Sequence, residues 1–275
     1  MRFIFAVLTL FLLTTSCEEP VADPEIESMK GSVGTDIADE SSDRIGAEDT
    51  ITWKFFGGEM GDYSMHIVME LGFAGEEVSG RYFYSKHQKF LGLTGTYDSL
   101  TNELKLRESY NGKVTGFIDA SFSEEGSLEG TWYKDEESME QPFSASEINL
   151  SIGPDEQMDI AFESYVKHHS IRIFNGIERA YDIKSVVDEC FINQLDEGHI
   201  SFSYSITGAN GHLGSIQGIA TYDKDDRAIF RDEELECELS FEFYQDSMVI
   251  REEQSCECCR GARAHFSNSL VKSNK

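Results

Sequence analysis

The cysteines are the residues of this chain whose type and spacing could support chemistry. Cys17 lies near the start, whereas the other five cysteines all lie in the last third of the chain. In an oxidising compartment such thiols pair as disulfides, and thiolates that lie close to an imidazole can instead bind zinc. The disulfide candidates are therefore the five later cysteines: Cys190, Cys237, Cys256, Cys258 and Cys259.

A β-hairpin would bring some of these cysteines together. Cys237 begins an amphipathic strand and residues 248–252 predict the returning strand, so Cys237 can reach Cys256 or Cys258. A closed loop of this size would stabilise the fold by about 3 kcal/mol. Cys190 could take a second partner from the same cluster, whereas bonds inside the cluster would be strained. Two bridges among five cysteines leave several arrangements, so the connectivity stays open.

A metal site is the alternative fate of the cysteine cluster. Cys256, Cys258, Cys259 and His265 would supply thiolates and an imidazole, and Cys237 could complete a tetrahedron. The usual zinc spacing is two separate pairs of cysteines, which this cluster does not match. Disulfides are favoured because an exported protein meets an oxidising environment. No metal and no cofactor is therefore predicted.

No arrangement of serine, histidine or acidic residues matches a familiar catalytic motif. The chain has no His-Glu-x-x-His, no Gly-x-Ser-x-Gly and no glycine-rich phosphate loop. His168 and His169 are adjacent, so on a strand they face opposite sides. The acidic turn at 223–226 lacks the twelve-residue pattern of a calcium loop. A non-enzymatic protein is predicted, and an envelope hydrolase or metal-dependent enzyme is the alternative.

Cys17 ends a segment that is typical of a secretory signal. The basic start at Arg2 is followed by an apolar run over 3–13 and by small residues over 14–16. A membrane-spanning helix needs about 20 apolar residues, more than this run provides. The cysteine at the cleavage point resembles the lipobox of bacterial lipoproteins, with Thr14 where the family usually has Leu. The alternative is an ordinary signal peptide that is cut near Ser16.

The lipoprotein resemblance implies where the chain is located. Residues 1–16 would be removed as a signal peptide, and Cys17 would carry the lipid as the new N-terminus. The membrane is then a partner through this anchor. Glu18 and Glu19 follow the cysteine. The absence of an Asp there implies the outer membrane or the cell surface rather than retention at an inner membrane.

The net charge limits the partners of the protein. The chain carries 51 acidic and 23 basic residues, which makes its formal charge −28. Nucleic-acid binding is excluded because phosphate contacts need clustered Lys and Arg. A polybasic face for anionic lipid is excluded by the same argument. A basic protein remains a candidate partner, which motivates a third hypothesis: an inhibitor of a basic envelope enzyme such as lysozyme.

Residues 17–50 predict a disordered acidic tether after the lipidated cysteine. The stretch from 18 to 50 is rich in Glu, Asp, Ser and Gly and contains no aromatic residue. Such a segment cannot bury enough apolar area to offset its ordering entropy. Its expected role is to hold the folded part away from the membrane.

Residues 51–150 predict the first of two antiparallel β units. Apolar residues alternate with polar ones, and a five-residue pattern of apolar, polar, Gly, any residue and a large apolar side chain recurs. A glycine inside a strand marks strong coiling or a close neighbour, and Asn111-Gly112 is the best two-residue hairpin turn. Seven or eight strands are expected to close into a small barrel or a coiled sandwich. The pattern recurs at 78–82, 93–97, 114–118 and 128–132.

Aromatic residues of the repeated pattern are a candidate binding surface. The side chains concerned are Tyr82, Tyr97, Trp132 and Tyr133. Small barrels offer a mouth or an outer face to ligands. The interpretation favoured from the sequence is that these aromatics belong to the core.

Residues 151–275 predict the second β unit, so the fold class is all-β. Apolar and polar residues alternate over 200–206 and over 236–243, and only Tyr181 to Cys190 suggests a short helix. The end of the chain, Cys237 to Lys272, resembles the ends of uncharacterised small β-rich bacterial lipoproteins, a resemblance that implies no activity. The function expected from the whole sequence is that of a lipid-anchored, non-enzymatic binding or interaction module of the cell envelope.

Overall fold

The computed structural model describes residues 51–61, 65–135, 138–153, 155–224 and 226–273. The predicted signal peptide, the lipidation site at Cys17 and the acidic tether lie outside these residues. The described part is all-β and contains two closed antiparallel barrels of eight strands each. The all-β prediction is therefore confirmed.

Barrel 1 is an up-and-down meander in which each strand pairs with the next one along the chain. The last strand pairs with the first, for example Glu147 with Phe56, so the sheet closes. Asn111 and Gly112 have φ values of 50° and 73°, as a tight two-residue hairpin turn requires. The strands are β1 (Thr52–Met60), β2 (Met65–Ala74), β3 (Glu77–Tyr84), β4 (Phe90–Asp98), β5 (Glu103–Tyr110), β6 (Lys113–Phe122), β7 (Leu128–Tyr133) and β8 (Gln141–Glu147).

The repeated glycines allow the strands of barrel 1 to coil tightly. A Cβ atom on Gly95 would lie 1.9 Å from the carbonyl oxygen of Lys105 on the neighbouring strand, and Gly80 and Gly130 are similarly close to backbone oxygens. Only glycine can occupy such positions, because real Cβ atoms do not approach a backbone oxygen so closely. The interior that this coiling encloses is filled by inward-facing side chains such as Phe56.

Barrel 2 has the same up-and-down order, and it closes where the last strand pairs with the first at Val271 and Val166. Its core is rich in aromatic residues: the ring of Phe202 lies 5.1 Å from that of Phe230 and 4.7 Å from that of Phe241. The strands are β9 (Ala161–Asn175), β10 (Ala180–Gln194), β11 (His199–Thr207), β12 (Leu213–Lys224), β13 (Arg227–Asp232), β14 (Cys237–Tyr244), β15 (Ser247–Gln254) and β16 (Asn268–Lys272).

The suggested helix at Tyr181 to Cys190 is wrong, because this segment belongs to strand β10. The segment pairs residue by residue with β9, from Ala180 opposite Asn175 to Gln194 opposite Ala161. Tyr181, Ile183 and Val187 are exposed at the outer end of this hairpin, so the segment has no continuous core face of the kind that a buried helix needs. The backbone hydrogen bonds of the strand pair decide the conformation instead.

The segment between the barrels is hydrogen-bonded to an ion pair on barrel 1. Glu70 on β2 is fully buried and pairs with Arg81 on β3. The Glu70 carboxylate also accepts a hydrogen bond from the Met158 backbone N–H at 2.7 Å, and Arg81 donates to the Met158 carbonyl at 2.6 Å. Phe83 of barrel 1 then packs against Phe162 of β9, with ring centroids 5.4 Å apart. These contacts connect barrel 1 to the linking segment and to the first strand of barrel 2.

Candidate functional site

One end of barrel 1 opens into a small cavity of about 270 Å³. Its lining is mainly apolar and aromatic, and it includes three of the six methionines that follow residue 50. Methionine side chains are flexible and polarisable, so they adapt to ligands of different shape. The lining residues are Met60, Gly61, Met65, Tyr84, Trp132, Met139 and Gln141.

A buried carboxylate is hydrogen-bonded to Trp132, one of the residues that line this cavity. Glu108 on β5 is only 3% exposed although it is a glutamate. Its Oε2 atom accepts hydrogen bonds from Trp132 Nε1 at 2.9 Å and from the Tyr82 hydroxyl. Its Oε1 atom accepts one from the Thr115 hydroxyl. The carboxylate is thus held by three donors, and one of them, Trp132, belongs to the lining of the cavity.

A β-bulge and a glycine build this arrangement from strand β6. Glu108 pairs with Gly116 and Ser109 pairs with Val114, so Thr115 is an extra residue that the bulge turns towards Glu108. A Cβ atom on Gly116 would lie 2.5 Å from Trp132 Nε1. Gly116 therefore leaves the space in which the indole lies and reaches the carboxylate.

The two tyrosines beside Glu108 are held as neutral phenols. Burial, the neighbouring Tyr84 and the charge of Glu108 raise the pKa of Tyr82 far above its usual range. Burial and the charge of Glu108 also raise the pKa of Tyr84. The Tyr84 hydroxyl donates to the sulfur of Met60 at 3.1 Å. The site therefore combines hydroxyl donors, thioethers and one carboxylate.

Barrel 2 has a cavity of about 300 Å³ whose carboxylate is already paired. Glu163 forms an ion pair with Lys272 and accepts a hydrogen bond from Tyr165 at 2.7 Å. Burial acts to raise the pKa of Glu163, but the hydrogen bonds from Lys272 and Tyr165 and the lysine charge outweigh it, so the pKa is lowered. Because Lys272 neutralises this carboxylate, the barrel 1 cavity is the better candidate site for a ligand.

The aromatic residues proposed as a binding surface mostly belong to the core. Tyr82 is fully buried, and Tyr97 and Trp132 pack against the interior of barrel 1. Tyr133 lies on the outside, where its ring stacks on that of Phe117 with centroids 5.5 Å apart. Of the four, only Trp132 lines the barrel 1 cavity.

Two of the five cysteine candidates form a disulfide. Cys237 and Cys256 are bonded, with Cα atoms 4.5 Å apart, as the predicted hairpin allows. Cys258 and Cys259 are free thiols whose sulfurs lie 2.6 Å apart. Cys190 is a free thiol buried in the barrel 2 core, and burial raises its pKa. Cys190 therefore does not take a second partner from the cluster.

The metal alternative receives no support from the described residues. No three His, Cys, Asp or Glu side chains in this part of the chain are grouped so that they could hold a metal ion. Cys237 and Cys256 are already used by the disulfide. Of the other candidates, Cys258 and Cys259 are in contact, and His265 is not grouped with them.

The segment that follows β15 is fixed by another buried carboxylate, that of Glu252. Glu252 and Arg260 form an ion pair at 3.1 Å, and each side chain is 8% exposed. Glu252 also accepts hydrogen bonds from the backbone N–H of Cys256 at 2.8 Å and of Phe266 at 3.1 Å. This carboxylate therefore holds both ends of the turn that follows β15.

A serine and a histidine lie at hydrogen-bond distance but cannot act on a substrate. His66 Nδ1 lies 2.7 Å from Ser85 Oγ, the spacing of a nucleophile and its base. Both side chains are buried, and Ser85 Oγ in turn contacts Ser201 Oγ of barrel 2 at 2.5 Å. Asn193 of barrel 2 donates to the Ser85 carbonyl at 3.1 Å. The cluster joins the barrels rather than facing solvent.

His66 makes stability depend on pH. Burial lowers the pKa of His66 from 6.5 to about 4. Between these values the unfolded chain binds a proton that the folded chain does not. The free energy of unfolding is therefore expected to fall by about 3 kcal/mol as the pH falls from about 6.5 to about 4.

Chemical denaturation at a series of pH values checks this expectation. In His66→Gln the free energy of unfolding should decrease less between pH 6.5 and about pH 4 than in the parent protein. His265→Gln removes an exposed histidine and should leave this decrease unchanged. An unchanged slope in His66→Gln would contradict the assignment.

Glu108 was missed by reasoning from the sequence, although one signal was present. Leu104, Leu106 and Glu108 alternate along β5, so the glutamate lies on the apolar face of its strand. An acidic residue on such a face is buried and must be hydrogen-bonded. No comparable signal marked Thr115, because its inward orientation depends on the bulge.

The fold and the comparisons do not identify the chain. None of the helices among the described residues is long and apolar enough to cross a membrane. No protein-family model matches the sequence, and neither a curated protein nor a solved structure is detectably similar to it.

Proposed function

We propose that this protein is a lipid-anchored binding protein of the cell envelope that holds a small ligand in the mouth of barrel 1. The observation that carries the proposal is the mainly apolar cavity of barrel 1, whose lining residue Trp132 is hydrogen-bonded to the buried carboxylate of Glu108. Cavities that are mostly apolar with a few convergent polar groups are the usual form of small-molecule sites. The protein acts by binding, and no catalytic step is assigned to it.

The chemistry of the site selects a ligand with an apolar body and a cationic or hydrogen-bond-donating group. A carboxylate accepts about four hydrogen bonds, and three donors of the chain already bind Glu108. None of these donors is a cation, so the negative charge of Glu108 attracts a cationic or hydrogen-bond-donating group of a ligand in the cavity. The face of Trp132 favours a cation, and the methionines accept an apolar group. A ligand that carries a carboxylate would be repelled by Glu108.

The cellular location is part of the proposal. The signal-like segment and Cys17 support a lipid anchor in the outer membrane or at the cell surface. The disulfide between Cys237 and Cys256 agrees with export, because disulfides persist in oxidising compartments.

Tryptophan fluorescence tests the ligand site. Trp53 and Trp132 are the two tryptophans, so Trp53→Phe leaves Trp132 as the only reporter. Hexylammonium, hexanol and hexanoate serve as probes of equal chain length. We expect a saturable change with hexylammonium, a weaker one with hexanol and none with hexanoate.

Variants of the rim sharpen this test. Met139 is 77% exposed at the cavity, so Met139→Ala should weaken hexylammonium binding without unfolding the barrel. Leu100→Ala, in an exposed turn of barrel 1 outside the cavity, is the matched control and should bind as the parent does. The proposal fails if none of the probes gives a saturable change, or if hexanoate binds as well as hexylammonium.

A second candidate function is inhibition of a basic envelope enzyme such as lysozyme. The net charge of −28 supports it, because such a charge attracts basic proteins. Inhibition at low ionic strength that disappears in salt would favour this function. An absence of inhibition at low ionic strength would eliminate it.

A further inference from the structure

The hairpin of β9 and β10 extends beyond barrel 2 as a two-stranded arm, residues 167–187. The next strand, β11, pairs with β10 only from Glu189 onwards. On the other side, β16 pairs with β9 only at Tyr165 and Val166. Within the arm the two strands therefore pair only with each other. A two-stranded ribbon is marginally stable by itself in water.

One face of the arm packs on the protein and the other faces solvent. On the inner face Ile171 is buried, and Ile173 is 3.7 Å from the position that a Cβ atom would take on Gly211. The backbone N–H of Phe174 donates to the Asn210 side chain at 2.8 Å. These contacts hold the arm against the short 3-10 turn at Ala209–Gly211. The opposite, outward face has no such cover.

The outward face carries exposed apolar side chains towards the tip of the arm, and its two strands place no acidic residue on it. Phe174 and Tyr181 are paired across the strands with ring centroids 5.4 Å apart, and they are 49% and 63% exposed. Ile183, on the same face, is 73% exposed, and Ile177 in the turn is 96% exposed. Arg172 lies opposite Ile183, so a cation accompanies the apolar strip. Such a concentration of exposed apolar groups marks an interaction surface.

The charge of the arm is opposite to that of the protein. The arm carries four basic and two acidic residues, a net charge of +2, whereas the whole chain carries −28. An anionic surface would therefore attract the arm and repel the rest of the protein. The acidic charge of the whole chain excludes a broad basic face. It does not exclude a small basic region such as the arm.

We propose that the arm is an interfacial membrane-binding hairpin, which inserts its exposed apolar side chains into the surface of an anionic lipid bilayer. Apolar and aromatic groups enter the boundary between headgroups and acyl chains, and basic residues bind the anionic headgroups. The charge complementarity also orients the molecule, with the arm towards the lipid. This inference concerns barrel 2 and does not rest on the ligand site of barrel 1.

A fluorescent reporter in the turn tests the insertion. The full chain with Cys17→Ser cannot carry a lipid at that position, and Ile177→Trp places an indole at the tip of the arm. Leu100→Trp is the matched control, because Leu100 is 93% exposed in a turn of barrel 1. Vesicles of phosphatidylglycerol with phosphatidylcholine are compared with vesicles of phosphatidylcholine alone.

The expected result is local and depends on charge. With anionic vesicles the emission of the added indole, taken as the difference between Ile177→Trp and the Cys17→Ser parent, should shift to shorter wavelength and be quenched by brominated acyl chains, whereas the same difference for Leu100→Trp should not respond. Adding Arg172→Gln should lower the vesicle partition coefficient about fivefold. Arg107→Gln, an exposed arginine of barrel 1, should leave it unchanged.

Two outcomes would overturn the inference. The first is equal responses of Ile177→Trp and Leu100→Trp, or no response of either. The second is a shift of Ile177→Trp without vesicles that grows with protein concentration, since that would show that the arm binds a second copy of the acidic chain. Circular dichroism confirms that each variant keeps its strands.

Discussion

Glu108→Ala is expected to lower the free energy of unfolding by about 3–5 kcal/mol and to remove hexylammonium binding at barrel 1. The variant leaves the donors of Tyr82, Thr115 and Trp132 without their acceptor in the barrel interior. Buried polar groups that lose their partner retain the full cost of their desolvation. Denaturant unfolding, followed by the emission of Trp132, measures the change.

Two further variants test whether this effect is specific to the Glu108 carboxylate. Glu108→Gln keeps the volume of the side chain but replaces one acceptor oxygen by a donor, so a smaller loss of stability is expected. Glu103→Ala, on the same strand, removes a carboxylate whose side chain is 54% exposed, and it should change stability by less than about 0.5 kcal/mol. Equal effects of Glu108→Ala and Glu103→Ala would show that Glu108 is not the centre of a buried network.

Glu252→Ala is expected to lower the free energy of unfolding by about 3–5 kcal/mol through its effect on barrel 2. The variant leaves the Arg260 guanidinium buried without its counter-ion and frees the backbone N–H groups of Cys256 and Phe266. Because Cys256 belongs to the disulfide, its bond to Cys237 should also be reduced faster by dithiothreitol. Thermal unfolding and timed alkylation of the released thiols measure the two effects.

Glu242→Ala is the matched control for Glu252. Glu242 on β14 pairs with Arg251 on β15, the strand that also carries Glu252. This ion pair is on the surface, where the Arg251 side chain is 53% exposed. Surface ion pairs add little to stability. A loss in Glu252→Ala no greater than that in Glu242→Ala would contradict the role assigned to the buried pair.

The strands could be predicted because their signals are local. Alternation of apolar and polar residues, the Asn111-Gly112 turn and the spaced glycines each depend on a few neighbouring residues. The disulfide was narrowed to two choices by the same logic, since a hairpin brings Cys237 near Cys256 and Cys258. The segment at Tyr181 to Cys190 was misassigned because its residues up to 187 are mostly exposed on both faces of β10, so no alternating burial shaped their sequence.

The candidate site required the tertiary structure. Thr115 faces Glu108 only because a bulge shifts the register of β6, and Trp132 reaches Glu108 only because Gly116 leaves space. Both depend on contacts between residues that are distant in sequence. The unpaired state of Cys190 likewise follows from its position inside the barrel 2 core.

The amino-acid sequence by itself determined that the chain is an acidic all-β protein with two β units, because charge is a sum over residues and strand patterns are local. Only the tertiary structure decided which of its 51 acidic residues act as more than solvated charge. Glu70, Glu108 and Glu252 have the same side chain as the exposed glutamates around them. Contacts between residues distant in sequence bury these three beside donors: Glu108 lies inside barrel 1, Glu70 is covered by the segment at Met158, and Glu252 by the turn that follows β15. Burial makes a carboxylate both costly to leave unpaired and capable of organising a site.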